Sequence, residues 1–331
     1  VTGTGGAGDN SEGIEAEFST ISSSTGQILL TGTGGAAGFG NSGINIDNFS
    51  VVESTGTGSI TLDGTGGAIG SESRGVDVQD FATVTSVNGD IAITGLGGAD
   101  GDFNAGIDVS SDALIQSTGS ATITLEGTGG SSGSENDGVF IRDAGTVRST
   151  TGAIGIVGTG GMTGDFLNTG VSLFSGGTVE SLNSANVTIR GTGGGAADAS
   201  FGVLVEGDGS KITAVDGAID INGDGGGTAA GVDNVGVLIL DNADVVATGA
   251  GTIHIVGTGT TGAGDDGVAI DGIGTTVGTV GGIIRIDGTS AMAEGVEISA
   301  SAVVTSMTGN IEVSGTGGVG GIAGIHVHSL A

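Results

Sequence analysis

The sequence predicts an all-β solenoid, a parallel β-helix of about eleven coils with about 31 residues and three short strands in each coil. Three observations support this prediction: a glycine motif that recurs along the chain, apolar residues in period-2 alternation between the motifs, and a glycine-rich composition. The 331 residues include 76 Gly and no Pro, Cys, Trp or Tyr, yet 36% of them are hydrophobic. Because Gly and Ser alone cannot form a core, the regularly spaced Val and Ile argue against low-complexity disorder.

A Gly-Thr-Gly-Gly motif, or a close variant, defines the repeat. Successive motifs are 27 to 34 residues apart, and from the second motif onward an Ile or Val stands four residues before each one. The motifs begin at Gly3, Gly32, Gly64, Gly95, Gly127, Gly158, Gly191, Gly223, Gly257, Gly288 and Gly315. This period is typical of repeat proteins, in which each unit buries its apolar face against its neighbours.

Each unit contains three short runs with the period-2 alternation of β-strands. The first has the form Gly-Val-x-Ile (residues 75–78), the second Val-x-Ser (84–86) and the third Ile-x-Ile (91–93). Glycines at the junctions provide the positive φ angles that corners need. A lone coil cannot offset the conformational entropy of ordering it, so we expect residues 1–331 to form a single repeat domain.

A finer pattern predicts a duplicated unit of two coils, or about 63 residues. The interval from the second-run Val or Ile to the third-run Ile alternates between seven and eight residues, until Val304 and Ile311 break the alternation. Phe18, Phe49 and Phe81 occupy equivalent positions in successive coils, which predicts an interior aromatic stack, with a stack on the surface as the alternative. The chain begins and ends within a repeat, and we therefore expect it to be a segment of a longer chain.

Charge and composition exclude several classes of function. The net charge is −31, with six Lys and Arg against 37 Asp and Glu, so a nucleic-acid partner is excluded because phosphates need a basic surface. No apolar stretch is long enough for a membrane span. The absence of Cys excludes disulfides and thiolate metal sites.

The sequence predicts no catalytic residue and no enzyme. β-Helical enzymes that cleave polysaccharides need carboxylates clustered with a basic partner, whereas the acidic residues here are spread over nearly every coil. The basic residues stand singly, and no acid cluster distinguishes Arg142 and Arg148, which share a coil. The six are Arg74, Arg142, Arg148, Arg190, Lys211 and Arg285.

Acidic residues follow the Gly-Thr-Gly-Gly motif in most coils, and stacked loops would form a ridge of carboxylates. Oxygen ligands at this density suit Ca²⁺, although the spacing matches neither an EF-hand nor an RTX repeat. The calcium-ligand candidates are Asp100, Asp102, Glu135, Asp137, Asp165, Asp265 and Asp266. No other cofactor is predicted. His326 and His328 project from one strand face, but two ligands do not close a metal site, so we interpret them as exposed polar residues.

The outward positions of the first run are polar in the outer coils and apolar in the middle coils. Contiguous exposed apolar surface often marks a contact site, so these residues are candidates for contact with a partner or with another copy of the chain. A loop of the same chain that crosses this face is the alternative. The candidates are Phe140, Phe174, Leu204, Leu238 and Leu240.

The Gly-Val-x-Ile, Val-x-Ser, Gly-x-Ile-x-Ile and Gly-Thr-Gly-Gly repeats resemble those of large bacterial surface exoproteins of the filamentous-haemagglutinin and autotransporter-passenger type. The resemblance covers essentially the whole chain. It implies a right-handed parallel β-helix, export to the cell surface or extracellular space, and a role in adhesion, aggregation or matrix building. We therefore expect a structural stalk or fibre segment that self-associates along or beside the rod axis. The alternative is an adhesin that binds a glycan or a protein through its side face.

Overall fold

A computed structural model describes residues 1–163, 166–195, 198–227 and 231–329. Within these residues the regular structure consists of β-strands in three parallel sheets. Sheet I holds the Gly-Val-x-Ile strands, sheet II the Val-x-Ser strands and sheet III the Ile-x-Ile strands. The prediction of a parallel β-helix with three strands per coil is confirmed.

The strands of each sheet follow one another at every third position in the chain. Sheet III contains β1 (Thr2–Thr4), β4 (Ile28–Thr33), β7 (Ile60–Thr65), β10 (Ile91–Leu96), β13 (Ile123–Thr128), β16 (Ile154–Thr159), β19 (Val187–Thr192), β22 (Ile219–Asp224), β25 (Ile253–Thr258), β28 (Ile284–Thr289) and β31 (Ile311–Thr316). Sheet I contains β2 (Ile14–Glu17), β5 (Ile44–Asp47), β8 (Val76–Val78), β11 (Ile107–Val109), β14 (Val139–Arg142), β17 (Val171–Phe174), β20 (Val203–Glu206), β23 (Val237–Leu240), β26 (Val268–Ile270), β29 (Val296–Ile298) and β32 (Ile325–Val327). Sheet II contains β3 (Thr20–Ser23), β6 (Val51–Ser54), β9 (Thr83–Ser86), β12 (Leu114–Ser117), β15 (Thr146–Ser149), β18 (Thr178–Ser181), β21 (Lys211–Ala214), β24 (Asp244–Ala247), β27 (Thr276–Thr279) and β30 (Val303–Ser306).

Each strand pairs with its equivalents in the coils before and after it, residue for residue. Ile91, for example, is the partner of Ile60 on one side and of Ile123 on the other. The turns between sheets II and III alternate between five residues, as in 55–59, and four residues, as in 87–90. The alternating interval in the sequence therefore lies in this turn, which absorbs the extra residue without a shift in strand register.

The core is a single column of aliphatic side chains inside the coils. Ile107, Ile115 and Ile123 supply one layer from the three sheets, and each is fully buried. Each such side chain contributes about 1.5–3 kcal/mol when it is removed from water. Because equivalent residues stack directly above one another, every coil completes the core of its neighbours.

The interior aromatic stack that the sequence predicts is wrong. Phe18, Phe49 and Phe81 lie at the turn between sheets I and II with φ angles of 47°, 63° and 62°, and their side chains are 71%, 63% and 52% exposed. The rings of Phe49 and Phe81 stack on the outside of the coil, with centroids 5.0 Å apart. The inward position belongs to the following small residue, such as the fully buried Ala82, because the corner is too tight for a larger one.

A glycine contact closes the coil between sheets III and I. A Cβ added to Gly64 would lie 2.1 Å from the carbonyl oxygen of Gly75, and one added to Gly95 would lie 2.0 Å from that of Gly106. The end of each sheet III strand therefore touches the start of the following sheet I strand, backbone against backbone. We call this contact the neck. The residues between the two strands, 66–74 in one coil, project outward from the neck as a loop. We call it the III–I loop.

Two glycines of β16 test the neck contact. A Cβ on Gly158 would lie 1.9 Å from the Gly170 carbonyl oxygen, whereas a Cβ on Gly155 would have no atom within 4 Å. We expect Gly158→Ala to lower the free energy of unfolding by about 3 kcal/mol or more, because backbone atoms cannot move aside. Gly155→Ala should raise it by up to about 1 kcal/mol, since Gly is unfavourable inside a strand. Urea denaturation followed by circular dichroism measures both, and equal effects would contradict the neck contact.

Candidate functional site

The III–I loops are held by a buried ladder of side chains. Its members stand two positions before the glycine that opens each sheet I strand, and all are fully buried: Asn41, Ser73, Asn104, Asn136, Asn168, Ser200, Asn234 and Asp265. The backbone N–H of Ser73 donates to Asn104 Oδ1 at 2.7 Å, and the backbone N–H of Asn104 donates to Asn136 Oδ1 at 2.7 Å. The Asn136 amide also donates to the carbonyl oxygens of Gly101 and Ser132. The ladder ties successive loops together from Asn41 to Asn168 and again from Ser200 to Asp265, so the loops form a wall along sheet I.

Sequence reasoning missed this ladder. Its signal is an Asn, Ser or Asp two residues before the glycine of the first nine Gly-Val-x-Ile runs, a position that Ala293 and Ile322 take in the last two. Buried side-chain oxygens that accept backbone N–H groups satisfy donors that would otherwise be orphaned in the core of the loop.

A charged cluster lies on the outer face of sheet I. Asp77 and Asp108 are register partners in β8 and β11. The Oδ2 atom of Asp108 lies 2.8 Å from Arg74 Nε and 3.0 Å from Arg142 Nη2. Arg74 Nη1 also lies 3.2 Å from Asp77 Oδ2, and Arg142 Nη1 lies 2.8 Å from Asp143 Oδ2. Two arginines from different coils therefore share one buried carboxylate.

The expectation that no acid cluster distinguishes the basic residues is thus wrong for Arg74 and Arg142. Arg74 comes from a III–I loop and Arg142 from the end of β14, two coils further on. Only the stacking of coils brings them to the two sides of Asp108. The expectation that the chain is not an enzyme stays a prediction.

Part of this cluster has no hydrogen-bond partner within the protein. The side chains of Asp77 and Asp108 are 3% and 1% exposed, yet the Oδ1 atom of each is unpaired, as is Nε of Arg142. A buried polar atom without a partner costs about 1–3 kcal/mol. The Arg142 guanidinium also contacts an aromatic ring, since its Cζ lies 5.1 Å from the centroid of the Phe140 ring.

Two adjoining cavities follow the cluster along sheet I, with the III–I loops as one wall. The larger has a volume of about 370 Å³ and is lined by Glu72, Arg74, Phe103, Ala105, Asp108, Glu135, Phe140, Arg142, Asp143 and Phe174. The smaller, of about 140 Å³, shares Glu135, Phe140 and Phe174 and adds Asp137, Leu167, Thr169, Ser172, Leu204 and Glu206. Together they form one groove, which we call the sheet I cleft.

Burial changes the acidity of the cleft. It raises the pKa of Asp137 to about 8, although the backbone N–H of Thr169, 2.8 Å from Asp137 Oδ1, acts in the opposite direction. Burial also raises the pKa of Asp77 to about 7 against the opposing charge of Arg74, and it raises the pKa of Glu135 and Glu206. Burial therefore favours the protonated form of these carboxyl groups, and Asp137, which lines the smaller cavity, keeps its proton near neutral pH.

The five apolar contact candidates divide into two groups. Phe174 is 41% exposed and lines the cleft with Phe140. Leu204 is only 5% exposed, because it packs in a second hydrophobic cluster with Phe201, Val235 and Ala269, against which Leu238 and Leu240 are partly buried. The expectation that Leu204 is exposed is therefore wrong, and the covering-loop alternative holds at that position. Partner contact through Phe140, Phe174, Leu238 and Leu240 stays a prediction.

The calcium candidates serve mainly as acceptors between coils. Asp100 and Asp102 are exposed and accept hydrogen bonds from Ser132 and Ser134, while Asp137, Asp265 and Asp266 are buried and accept backbone N–H groups. Asp165 lies outside the described residues. Among the candidates that are described, no three place carboxylate oxygens within 4.8 Å of one another. Calcium binding stays a prediction.

Taken together, the three stacked sheets, the ladder and the lateral cleft define a β-helical repeat protein. Comparisons of the chain with protein-family models, curated proteins and solved structures find no match. Within the described residues, no helix is long and apolar enough to cross a membrane.

The raised pKa of Asp137 predicts how stability depends on pH. Folded Asp137 keeps its proton up to about pH 8, whereas an unfolded carboxyl releases it near the ordinary value of 3.8. At a pH between these two pKa values, unfolding releases a proton from Asp137. The contribution of Asp137 to the free energy of unfolding is therefore full below pH 4 and is lost as the pH rises to about 8. Asp137→Asn keeps an acceptor for Thr169 and should be more stable than the wild type by about 2 kcal/mol or more above pH 8.

Urea midpoints measured between about pH 4 and pH 8.5 check this expectation. Asp63→Asn, a change at an exposed position of sheet III, is the matched control and should keep the wild-type pH dependence. A wild-type slope in Asp137→Asn would show that Asp137 is ionised in the folded protein at neutral pH.

Proposed function

We propose that the chain is a rigid rod that binds a glycan in the sheet I cleft, and thus an adhesin-type binding module. The observation that carries the proposal is the cleft itself, where the under-paired polar groups of Asp108 and Arg142 line the same cavity as the phenyl rings. Its larger cavity of about 370 Å³ is the size of a small-ligand site rather than of a protein interface, which needs about 800 Å² on each partner.

The lining of the cleft suits a polyhydroxylated ligand. Phe103 and Phe174 are 42% and 41% exposed, so their rings offer flat apolar faces to the C–H side of a sugar. Carboxylates and guanidinium groups offer paired acceptors and donors to hydroxyls. The larger cavity contains four carboxylates, Glu72, Asp108, Glu135 and Asp143, against two arginines. This excess of negative charge favours neutral or amine-bearing sugars over acidic ones.

A glycan array tests the proposal. The purified rod should bind neutral or amino sugars, and Phe174→Ala should weaken binding about tenfold, since one aromatic contact is worth about 1 kcal/mol beyond its buried area. Phe49→Ala, which removes an exposed ring on another part of the rod, is the matched control and should leave affinity unchanged. Equal losses in the two variants, or no glycan binding by the wild type, would contradict the proposal. Release of reducing ends from a bound glycan would instead make the cleft catalytic.

A structural stalk or fibre segment is the second candidate function. The observation that favours it is the unbroken parallel ladder from β1 to β31 in sheet III, which makes a rod about 50 Å long at about 4.8 Å per coil. The resemblance to bacterial surface exoproteins favours a position at the cell surface or in the extracellular space for either function. Self-association along or beside the rod axis would extend the rod into a fibre.

Electron microscopy and analytical ultracentrifugation distinguish the two candidates. A stalk or fibre segment should form filaments or laterally associated rods whose amount rises with protein concentration. Single rods at every concentration would contradict self-association and leave the binding module as the better proposal.

A further inference from the structure

Two histidines and a glutamate converge on sheet I in a region separate from the cleft. Glu297 lies in β29, and its register partner in β32 is His326. His328 follows two residues later on the same face. One ligand atom from each of the three residues lies within 4.8 Å of the other two. The sequence places the two histidines together, but only the stacking of coils adds the glutamate.

The positions of these side chains are set by the backbone and by neighbouring carboxylates. The backbone N–H of His328 donates to the carbonyl oxygen of Ile298 at 3.0 Å, which anchors the residue to the preceding coil. His328 Nε2 lies 2.9 Å from Glu297 Oε1, and His326 Nδ1 lies 3.6 Å from Glu294 Oε1. The two imidazole rings are stacked with their centroids 4.3 Å apart. Both rings thus face carboxylate oxygens on one side of the strand.

The surroundings of the histidines are strongly negative. The side chain of Asp266 accepts the backbone N–H of Glu294 at 2.9 Å and adds a third acidic residue to Glu294 and Glu297. In the part of the chain that the structure describes, no Lys or Arg forms an ion pair with Asp266, Glu294 or Glu297. A concentration of carboxylates without a basic partner attracts a cation.

We propose that Glu297, His326 and His328 bind one divalent transition-metal ion, with zinc as the representative ion. Imidazole nitrogen selects Zn²⁺, Cu²⁺ or Ni²⁺ over Ca²⁺ and Mg²⁺, which prefer sets of oxygen ligands. Zinc bonds of about 2.0–2.2 Å to nitrogen and oxygen place tetrahedral ligands about 3.4 Å apart, so small rotations of these partly exposed side chains close the site. Three protein ligands leave a fourth position for water or for a donor from a ligand.

Glu294 has a positioning role in this site. A carboxylate that accepts a hydrogen bond from the non-ligating nitrogen of a histidine orients the ring and raises its basicity. His326 Nδ1 lies 3.6 Å from Glu294 Oε1, so coordination through Nε2 needs a small movement of the ring to bring Nδ1 within hydrogen-bond distance of Glu294. This metal site is independent of the proposed glycan function, because it shares no residue with the sheet I cleft.

Calorimetric titration of the full chain with zinc chloride, in the presence of excess Mg²⁺ to occupy the acidic surface, tests the proposal. We expect one zinc ion per chain. His326→Ala, His328→Ala and Glu297→Gln should each weaken binding by more than about tenfold, since even outer ligand partners are worth about 10–100-fold. His254→Gln and Glu312→Gln, which lie on sheet III, are the matched controls and should bind zinc as the wild type does. Cobalt titration should give the visible absorption of a tetrahedral nitrogen and oxygen site.

Three results would overturn the metal site. These are no zinc binding at millimolar concentration, displacement of zinc by Mg²⁺ or Ca²⁺, and unchanged zinc affinity in both histidine variants. Circular dichroism and the melting temperature show whether each variant is folded. If an alanine variant is unfolded, the corresponding glutamine variant replaces it, and the ring resonances of His326 and His328 in the wild type provide a readout that needs no substitution. Those resonances should shift with one equivalent of zinc, while the resonances of His254 should stay in place.

Discussion

The contact between glycine backbones at the neck of each III–I loop is the constraint on which the rest of the structure depends. At Gly64 no side chain fits, because a Cβ would lie 2.1 Å from the carbonyl oxygen of Gly75. The neck keeps the coil narrow enough for aliphatic side chains to fill it completely. It also sends the intervening residues outward as a loop, so that the stacked loops stand as a wall beside sheet I. The buried Asn ladder then fixes the spacing of that wall.

Parallel stacking also generates the electrostatics of the cleft. Residues one coil apart in sequence become neighbours about 4.8 Å apart along the axis. Asp77 and Asp108 meet in this way, and Arg142 reaches Asp108 from the next coil along sheet I. Burial raises the pKa of Asp77, so this carboxyl group resists ionisation more than an exposed one does.

The outward-facing side chains of sheet I differ from coil to coil, whereas its inward-facing side chains are uniformly aliphatic. Its outer face carries the cleft in the earlier coils, an apolar cluster around Leu204 in the middle and the Glu297–His326–His328 group further on. The interior needs only aliphatic side chains of similar size at each layer, so the outward residues of each coil are free to vary. A repeat fold of this kind separates stability, which resides in the core column, from chemistry, which resides on one face.

The sequence alone determined the three strands of each coil, the core positions and the place of every coil, because these follow from local alternation and from the recurrence of the glycine motif. Only the tertiary structure decided which side of the coil a corner residue faces. Phe49 and Phe81 are outside because a positive φ turns them away from the core, and a shift of one position reverses a side chain. The tertiary structure also brings Arg74 into contact with Asp108 and places Glu297 beside His326. Those contacts depend on the lateral alignment of neighbouring coils, which no single repeat contains.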